Sequence, residues 1–227
     1  MSASKGIIPE SFLTISEHLN REYNIPKKNL AIISGPSHAE EVAQEKLTYL
    51  TVGTKNSKLG KYISDLLIAK YIISTVSNDM IGIEYSSSLK NIYSIMVGIA
   101  HGLGYGDNFV SVLISHSSKE MGDFIKAVHK TNRKINHSAY LGDLLVTTYS
   151  SFSRNRTFGN MIGKGYSINS AKAEMNMIVE GYYATKNAFM LSKKLSTKFL
   201  IIDFCYKILF ENKSAKRQMK ELSKYLY

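Results

Sequence analysis

The residues from Gly82 to Ala100 constrain this chain more than any others. Leu89, Ile92, Tyr93, Met96 and Ala100 recur at helical spacing, and Ile95, Val97 and Ile99 fill the remaining sides. A helix that is apolar nearly all round has to be buried. Lys90 and Asn91 sit in its middle. A buried ammonium is costly unless it is paired, and the usual partner is an acid three or four positions away. Those positions hold Ser86, Ser87, Tyr93 and Ser94, none of them an acid. Two readings fit. Desolvation lowers the lysine pKa from its reference of about 10.4 and makes Lys90 a proton donor or acceptor. Alternatively, the ammonium snorkels to the surface beside an acid from elsewhere in the fold.

The remaining composition is that of an ordinary globular chain able to bury a core, with 44% hydrophobic and 21% charged residues. A formal net charge of +11 suggests an anionic partner: nucleic acid, a membrane surface or a phosphorylated small molecule. The charge is spread along the chain, however, and its densest runs, 126–134 and 213–224, read as solvated helix faces. No nucleic-acid partner is therefore expected. The single cysteine, Cys205, can form no intrachain disulfide and lies in the apolar run 199–210, where a buried, inert thiol is expected. No secretory signal is visible, so a reducing, cytoplasmic setting is expected. The run 199–210 is shorter than the roughly 20 residues of a membrane span and is interrupted by Asp203 and Lys207, so no span is expected and a core helix is. The six histidines lack metal-ligand spacing, and no metal site is expected.

Along the chain, 3–8 reads as a short strand, and Pro9 is expected to open a helix over 10–23. Further strands are expected at 30–34, 47–52 and 71–76, with helices beginning near His38 and over 58–69. From Asp79 onward the periodicity is helical: 79–100, 109–130, 155–163, 168–175, 180–194, 198–210 and 214–225. The expected fold is a partial α/β Rossmann-type parallel sheet over 1–78, followed by an all-α domain over 79–227. Ligands of open α/β sheets bind outside the carboxyl ends of the strands, where the loops after Ile8, Ser34 and Val76 would all lie.

Three further clusters carry chemistry. In Ser34-Gly-Pro-Ser-His-Ala-Glu-Glu-Val-Ala43, a strand meets a turn and then a helix. Its first turn either offers free amides to an anion or is an ordinary capping box of Ser37 and Glu40. Asp143 is a lone acid in the apolar run Tyr140-Leu-Gly-Asp-Leu-Leu-Val. It is either a helix N-cap or a carboxylate that pairs with a buried cation, Lys90 being a candidate, or holds a polar ligand. In Ser151-Phe-Ser-Arg-Asn-Arg-Thr-Phe-Gly159, a Ser cap, two arginines and an Asn open a helix. That suits a phosphate, or a solvent-facing basic turn. Gly102-Leu-Gly-Tyr-Gly-Asp-Asn108 lacks the dinucleotide fingerprint and reads as a tight interhelical turn.

Together these stretches resemble the bacterial NAD(P)-dependent glycerol-3-phosphate dehydrogenases. The resemblance is carried by Ser34–Ala43, by Ser88-Leu-Lys-Asn-Ile92 followed by Gly98-Ile-Ala-His-Gly-Leu-Gly-Tyr-Gly-Asp-Asn108, by Leu141-Gly-Asp-Leu144 with Ser153-Arg-Asn-Arg156, and by Ile178-Val-Glu-Gly181. It implies NAD or NADP as cofactor and interconversion of dihydroxyacetone phosphate and sn-glycerol 3-phosphate for glycerophospholipid synthesis. It implies Lys90 as the catalytic acid/base at the C2 oxygen. Lys5, Gly35, Ser37, Asp143, Ser153, Arg154 and Asn155 are implied as further substrate contacts. Lys5, Ala39, Arg154, Ile178 and Glu180 are implied as cofactor contacts. His101 stands where the family more often has an acid.

The family's glycine-rich pyrophosphate turn and its first strands have no counterpart here. The chain is accordingly expected to begin partway through the nucleotide-binding domain, with weak cofactor binding and little turnover alone. The alternative is a non-catalytic remnant, a basic helical module that binds phosphorylated ligands or a protein partner. The oligomeric state stays open, with a homodimer as one expectation.

Overall fold

The computed structural model describes residues 1–175 and 177–226. Three strands, β1 (Ala31–Ser34), β2 (Thr48–Thr54) and β3 (Ile72–Ser77), alternate with α1 (Ile15–Glu22), α2 (Ala39–Ala43) and α3 (Ser57–Leu67). Helices follow to the end: α4 (Met80–Gly102), α5 (Asp107–Val128), α6 (Asp143–Tyr149), α7 (Arg154–Gly163), α8 (Ile168–Ala173), α9 (Glu180–Lys194), α10 (Leu200–Phe210) and α11 (Ala215–Leu222). The chain divides into two compact units, residues 1–88 with 134–146, and residues 89–133 with the remainder from Thr147. Helix α4 is covalently shared, its first turns in one unit and the rest in the other.

The first unit holds a three-stranded mixed sheet in the order β1-β2-β3. β2 and β3 are parallel, but β1 pairs antiparallel to β2, Ser34 opposite Thr51. The parallel sheet expected from the sequence is thus corrected at β1. An apolar, β-branched run marks a buried strand but carries no information on direction. Residues 3–8 make no strand. Ser2 bridges in parallel to Ile32, and Ile7 pairs with Thr14. The helix expected from residue 10 starts only at Ile15, because Thr14 and Glu17 form a reciprocal capping box. Glu10 and Phe12 have φ of 66° and 58°, outside any helix. Helix α3 lays Ile63, Leu59 and Leu67 on Ala31 and Val52. Gly60 lets it come close, since a Cβ there would lie 2.5 Å from Val76 Cγ1.

Strand direction decides which loops share an edge. The chain after Ser2 and the chain after Ser34 leave the same edge. The loop after Ser77 leaves the opposite one, against the expectation that all three loops gather together. Helix α4 then crosses back over the sheet. Ile83 lies over Gly53, and Ser87 reaches Ser34 at the Gly35 edge.

The second unit is helical throughout. Ile92, Tyr93, Ile95, Met96, Val97, Ile99 and Ala100 on α4 are all fully buried, as their pattern requires. Helices α4 and α7 meet backbone to backbone. A Cβ at Gly98 would lie 2.1 Å from the Arg156 carbonyl oxygen, and one at Gly159 would lie 2.1 Å from that of Ile95. Gly102 and Gly163 repeat the contact one turn on. Helix α10 is buried, with Asp203 and Lys207 paired at 2.9 Å one turn apart. Among the described residues no helix is long and apolar enough to cross a membrane. Gly102–Asn108 is an interhelical turn, with Gly104 at φ 83°.

Candidate functional site

In the first unit the Gly35 edge is organised by a chain of hydroxyls. β1 delivers Ser34 into the interior, where its Oγ lies 2.5 Å from Ser87 Oγ on α4 and donates to Asp143 Oδ2 at 3.2 Å. Ser87 Oγ also lies 2.8 Å from the Ile83 carbonyl. Ser87 donates its one proton to that carbonyl, so the Ser34 hydroxyl is the donor shared between Ser87 Oγ and Asp143 Oδ2. Asp143 is only 1% exposed. It is not the N-cap that its surroundings allow, because the residues before it, Ser138–Gly142, form a π turn that runs straight into α6. Asp143 is therefore a buried carboxylate held by a hydroxyl from another element.

The turn above it requires Gly35. Its φ is 131°, and a Cβ would sit 2.5 Å from the Tyr49 carbonyl oxygen. Ser37 donates to the Gly35 carbonyl at 3.0 Å. The capping box of Ser37 and Glu40 does not form, since His38 is the N-cap residue of α2. With five residues, α2 offers little dipole, and no side chain caps its first amides. Ala39 is exposed at the start of α2, and Lys5 is exposed on the chain leaving the same sheet edge.

In the second unit α4 presents a polar side. Asn91 and Ser94 lie three residues apart on one side of the helix, four and seven residues past Ser87. Asn91 Nδ2 donates to Glu180 Oε2 at 3.1 Å. Ser94 Oγ donates to the Thr147 carbonyl at 2.8 Å and lies 2.9 Å from Ser153 Oγ. Ser153 is the N-cap of α7 and accepts from the Arg156 amide. Asn155 Oδ1 accepts the Gly181 amide at 2.9 Å, fixing the start of α9, so its amide NH2 is turned the other way. Asn91, Ser153, Asn155 and Glu180 are thus gathered around one stretch of α4. Lys90 is 6% exposed, three residues after Ser87 and next to Asn91.

Arg154 behaves differently from its neighbours. It is exposed, and its Nη1 approaches Met177 Sδ at 3.5 Å. Beside it opens a cavity of about 380 Å³ walled by Met177, Ile178, Val179 and Tyr183. Ile178 is 71% exposed. An apolar wall with a guanidinium beside it suits a flat ring carrying a phosphate better than a small polar ligand.

Sequence reasoning missed Ser34, Ser87 and Ser94 as members of these networks. The available signal was the spacing Ser87, Lys90, Asn91, Ser94, one polar line on an apolar helix.

The family model described as NAD-dependent glycerol-3-phosphate dehydrogenase C-terminus matches residues 79–220, and the N-terminus model matches residues 1–60. The chain belongs to the NAD-dependent glycerol-3-phosphate dehydrogenase family. The Glycerol-3-phosphate dehydrogenase [NAD(P)+] of Fusobacterium nucleatum is 36% identical over 222 residues, 98% of this chain and 66% of the relative. That of Bacillus velezensis is 36% identical and covers 96% of this chain and 64% of the relative. The chain thus spans just under two thirds of these relatives. The crystal structure of glycerol-3-phosphate dehydrogenase from Coxiella burnetii superposes with a TM-score of 0.92 at 30% identity, covering 97% of this chain and 67% of that one. A Dunaliella salina structure, at 19% identity and a TM-score of 0.85, shares the fold.

Proposed function

We propose that this chain carries the acid/base and phosphate-holding part of an NAD(P)-dependent glycerol-3-phosphate dehydrogenase, interconverting dihydroxyacetone phosphate and sn-glycerol 3-phosphate. The observation that carries the reading is Lys90, an ammonium-bearing side chain 6% exposed on a helix whose next residues, Asn91 and Ser94, bond Glu180 and Ser153.

In ketone reduction, Lys90 donates its proton to the C2 oxygen as negative charge develops there, and in oxidation it takes that proton back. An ammonium held in a water-poor setting stabilises the developing alkoxide more strongly than it would in bulk water. Arg154 and the side-chain NH2 of Asn155 hold the phosphate, the guanidinium by a two-pronged contact. Ser153 supports that loop through its hydrogen bond to Ser94. Lys5, Gly35, Ser37 and Asp143 complete the substrate contacts. Asp143 is fixed in direction by the Ser34 hydroxyl. Ala39, Ile178 and Glu180, with Lys5 and Arg154, hold the nicotinamide cofactor, which when bound supplies or accepts the hydride at C2. The apolar wall at Ile178 and the Arg154 guanidinium fit that role. A cytoplasmic setting supplying glycerophospholipid synthesis, with a homodimer as the assembly to test and no nucleic-acid partner, belongs to the same reading.

The test is oxidation of NADH or NADPH on adding dihydroxyacetone phosphate, with Lys90→Ala alongside. Turnover in the wild-type chain that falls at least a hundredfold in the variant, on the scale of lost general acid catalysis of about 10²–10⁴, supports the assignment. Turnover that survives in Lys90→Ala removes Lys90 from the chemistry. A folded wild-type chain that neither turns over nor binds sn-glycerol 3-phosphate overturns the reading and favours the non-catalytic remnant.

A further inference from the structure

Helix α7 carries a second, differently directed set of cations. Arg154 and Arg156 are two residues apart, hence about 200° apart around the helix. Arg156, Asn160 and Lys164 instead follow one another at four-residue spacing along one side. That side lines a cavity of about 230 Å³, completed by Thr157, Met161 and Tyr166.

Two features mark the cavity as more than a solvated helix face. Arg156 Nε is buried and has no hydrogen-bond partner. A guanidinium nitrogen left so is costly, because it has lost water and gained nothing. Asn160 Oδ1, one helical turn along, is also buried and unpartnered, and the amide turned over offers its NH2 in that place. A carboxylate from α4 would neutralise Arg156. The residue that α4 places near it is His101, between Gly98 and Gly102, where the two backbones touch. Among the described residues the acid acting on His101 is Asp107, exposed at the start of α5. The cluster thus combines Arg156, Lys164 and His101 with a buried donor awaiting an acceptor.

We infer that this cavity is a second anion site, separate from the Arg154–Asn155 side of α7, that takes a tetrahedral oxyanion of the phosphate or sulfate class. The Arg156 guanidinium and Lys164 Nζ provide the charge, and the Asn160 amide and Thr157 hydroxyl provide neutral donors. The volume admits the oxyanion with a short organic group, so a phosphate monoester fits as well as the free ion.

His101 is the built-in reporter. Its imidazole is held below the usual histidine range by burial and by the Arg156 cation, against a smaller opposing effect of Asp107. An anion seated on Arg156 offsets that cation and raises the His101 pKa. The experiment follows the His101 ring by NMR between pH 5 and 8 in the whole chain. Sulfate, a fixed dianion over that range, is titrated against chloride at matched ionic strength. A saturable rise of the His101 pKa with sulfate is expected. Lys164→Ala, an exposed change at the helix end, weakens it at least threefold, and Arg154→Ala leaves it unchanged. A His101 titration indifferent to sulfate overturns the site. So does a rise unchanged in Lys164→Ala, or one abolished by Arg154→Ala, which would assign the effect to the substrate side of α7.

Discussion

Replacing Gly98 by alanine separates packing from helix propensity by the sign of its effect. Gly98 lies inside α4, where alanine is worth about 1 kcal/mol more than glycine on propensity alone. The added methyl would stand 2.1 Å from the Arg156 carbonyl oxygen and 2.9 Å from both the Arg156 carbonyl carbon and the Asn160 nitrogen. A comfortable carbon–oxygen contact is about 3.3 Å or more, so α4 and α7 must part by roughly 1 Å. The obstacle is backbone on a helix, which cannot swing aside as a side chain can. A gap of that size forfeits about a quarter to a half of the dispersion energy of the contacts it opens. Overpacking of this kind costs about 1–3 kcal/mol and occasionally more, and the rigid backbone places Gly98 at or above the upper end. The net expectation, after propensity, is a loss of roughly 2 kcal/mol and a fall of about 4–8 °C in Tm for a chain of this size. Thermal unfolding followed by circular dichroism at fixed pH measures it. A Tm that rises by 2–4 °C would show that propensity governs and that the close helix contact is not there.

Two further outcomes come from buried ionisable groups. Burial pushes Glu120 up to about 7 from 4.5, against three backbone amides at the start of α10 that lower it. Its folded pKa is above its unfolded one, so its contribution to stability is fully present below about 4.5 and is lost as pH rises through about 7. Urea unfolding across that window should show the loss, a few kcal/mol in all, and Glu120→Gln should flatten it. A slope unchanged in the variant would assign the pH dependence elsewhere. Cys205, fully buried and pushed up to about 12, should resist thiol reagents at pH 8 until the chain unfolds. Labelling faster than unfolding would contradict its place in α10.

Much of this architecture is legible in the residues, and the parts that are not share a cause. Helix α4 announces itself because an all-round apolar pattern has one outcome, burial, and the later helices have clear periodicity. The start of α1 was also written in the chain, as Thr14 and Glu17, but Pro9 is the louder signal and points to a false start. The direction of β1 is not written locally at all. A short apolar strand reads the same either way, and pairing with β2 decides it. The same holds for the site. Lys90 and Asp143 stand out as lone charges in apolar runs, whereas Ser34, Ser87 and Ser94 look like ordinary serines until the fold places hydroxyl against hydroxyl. The α4–α7 contact lies between. Gly98 and Gly102 match Gly159 and Gly163 in spacing, but only the structure says that they face each other. His101, read first as a local departure, gains meaning once Arg156 is seen beside it.

The most direct test of the central reading is calorimetric titration of sn-glycerol 3-phosphate into the wild-type chain, with glycerol as the ligand lacking the phosphate and Arg154→Ala as the variant. Arg154 is exposed and caps nothing, so the variant should fold unchanged. The account predicts saturable binding of the phosphate ester, none measurable for glycerol, and a loss of about tenfold or more in the variant, the scale of one charge-assisted hydrogen bond of roughly 1.5–3 kcal/mol. Equal affinity in wild type and variant, or no binding by a folded wild-type chain, would contradict it.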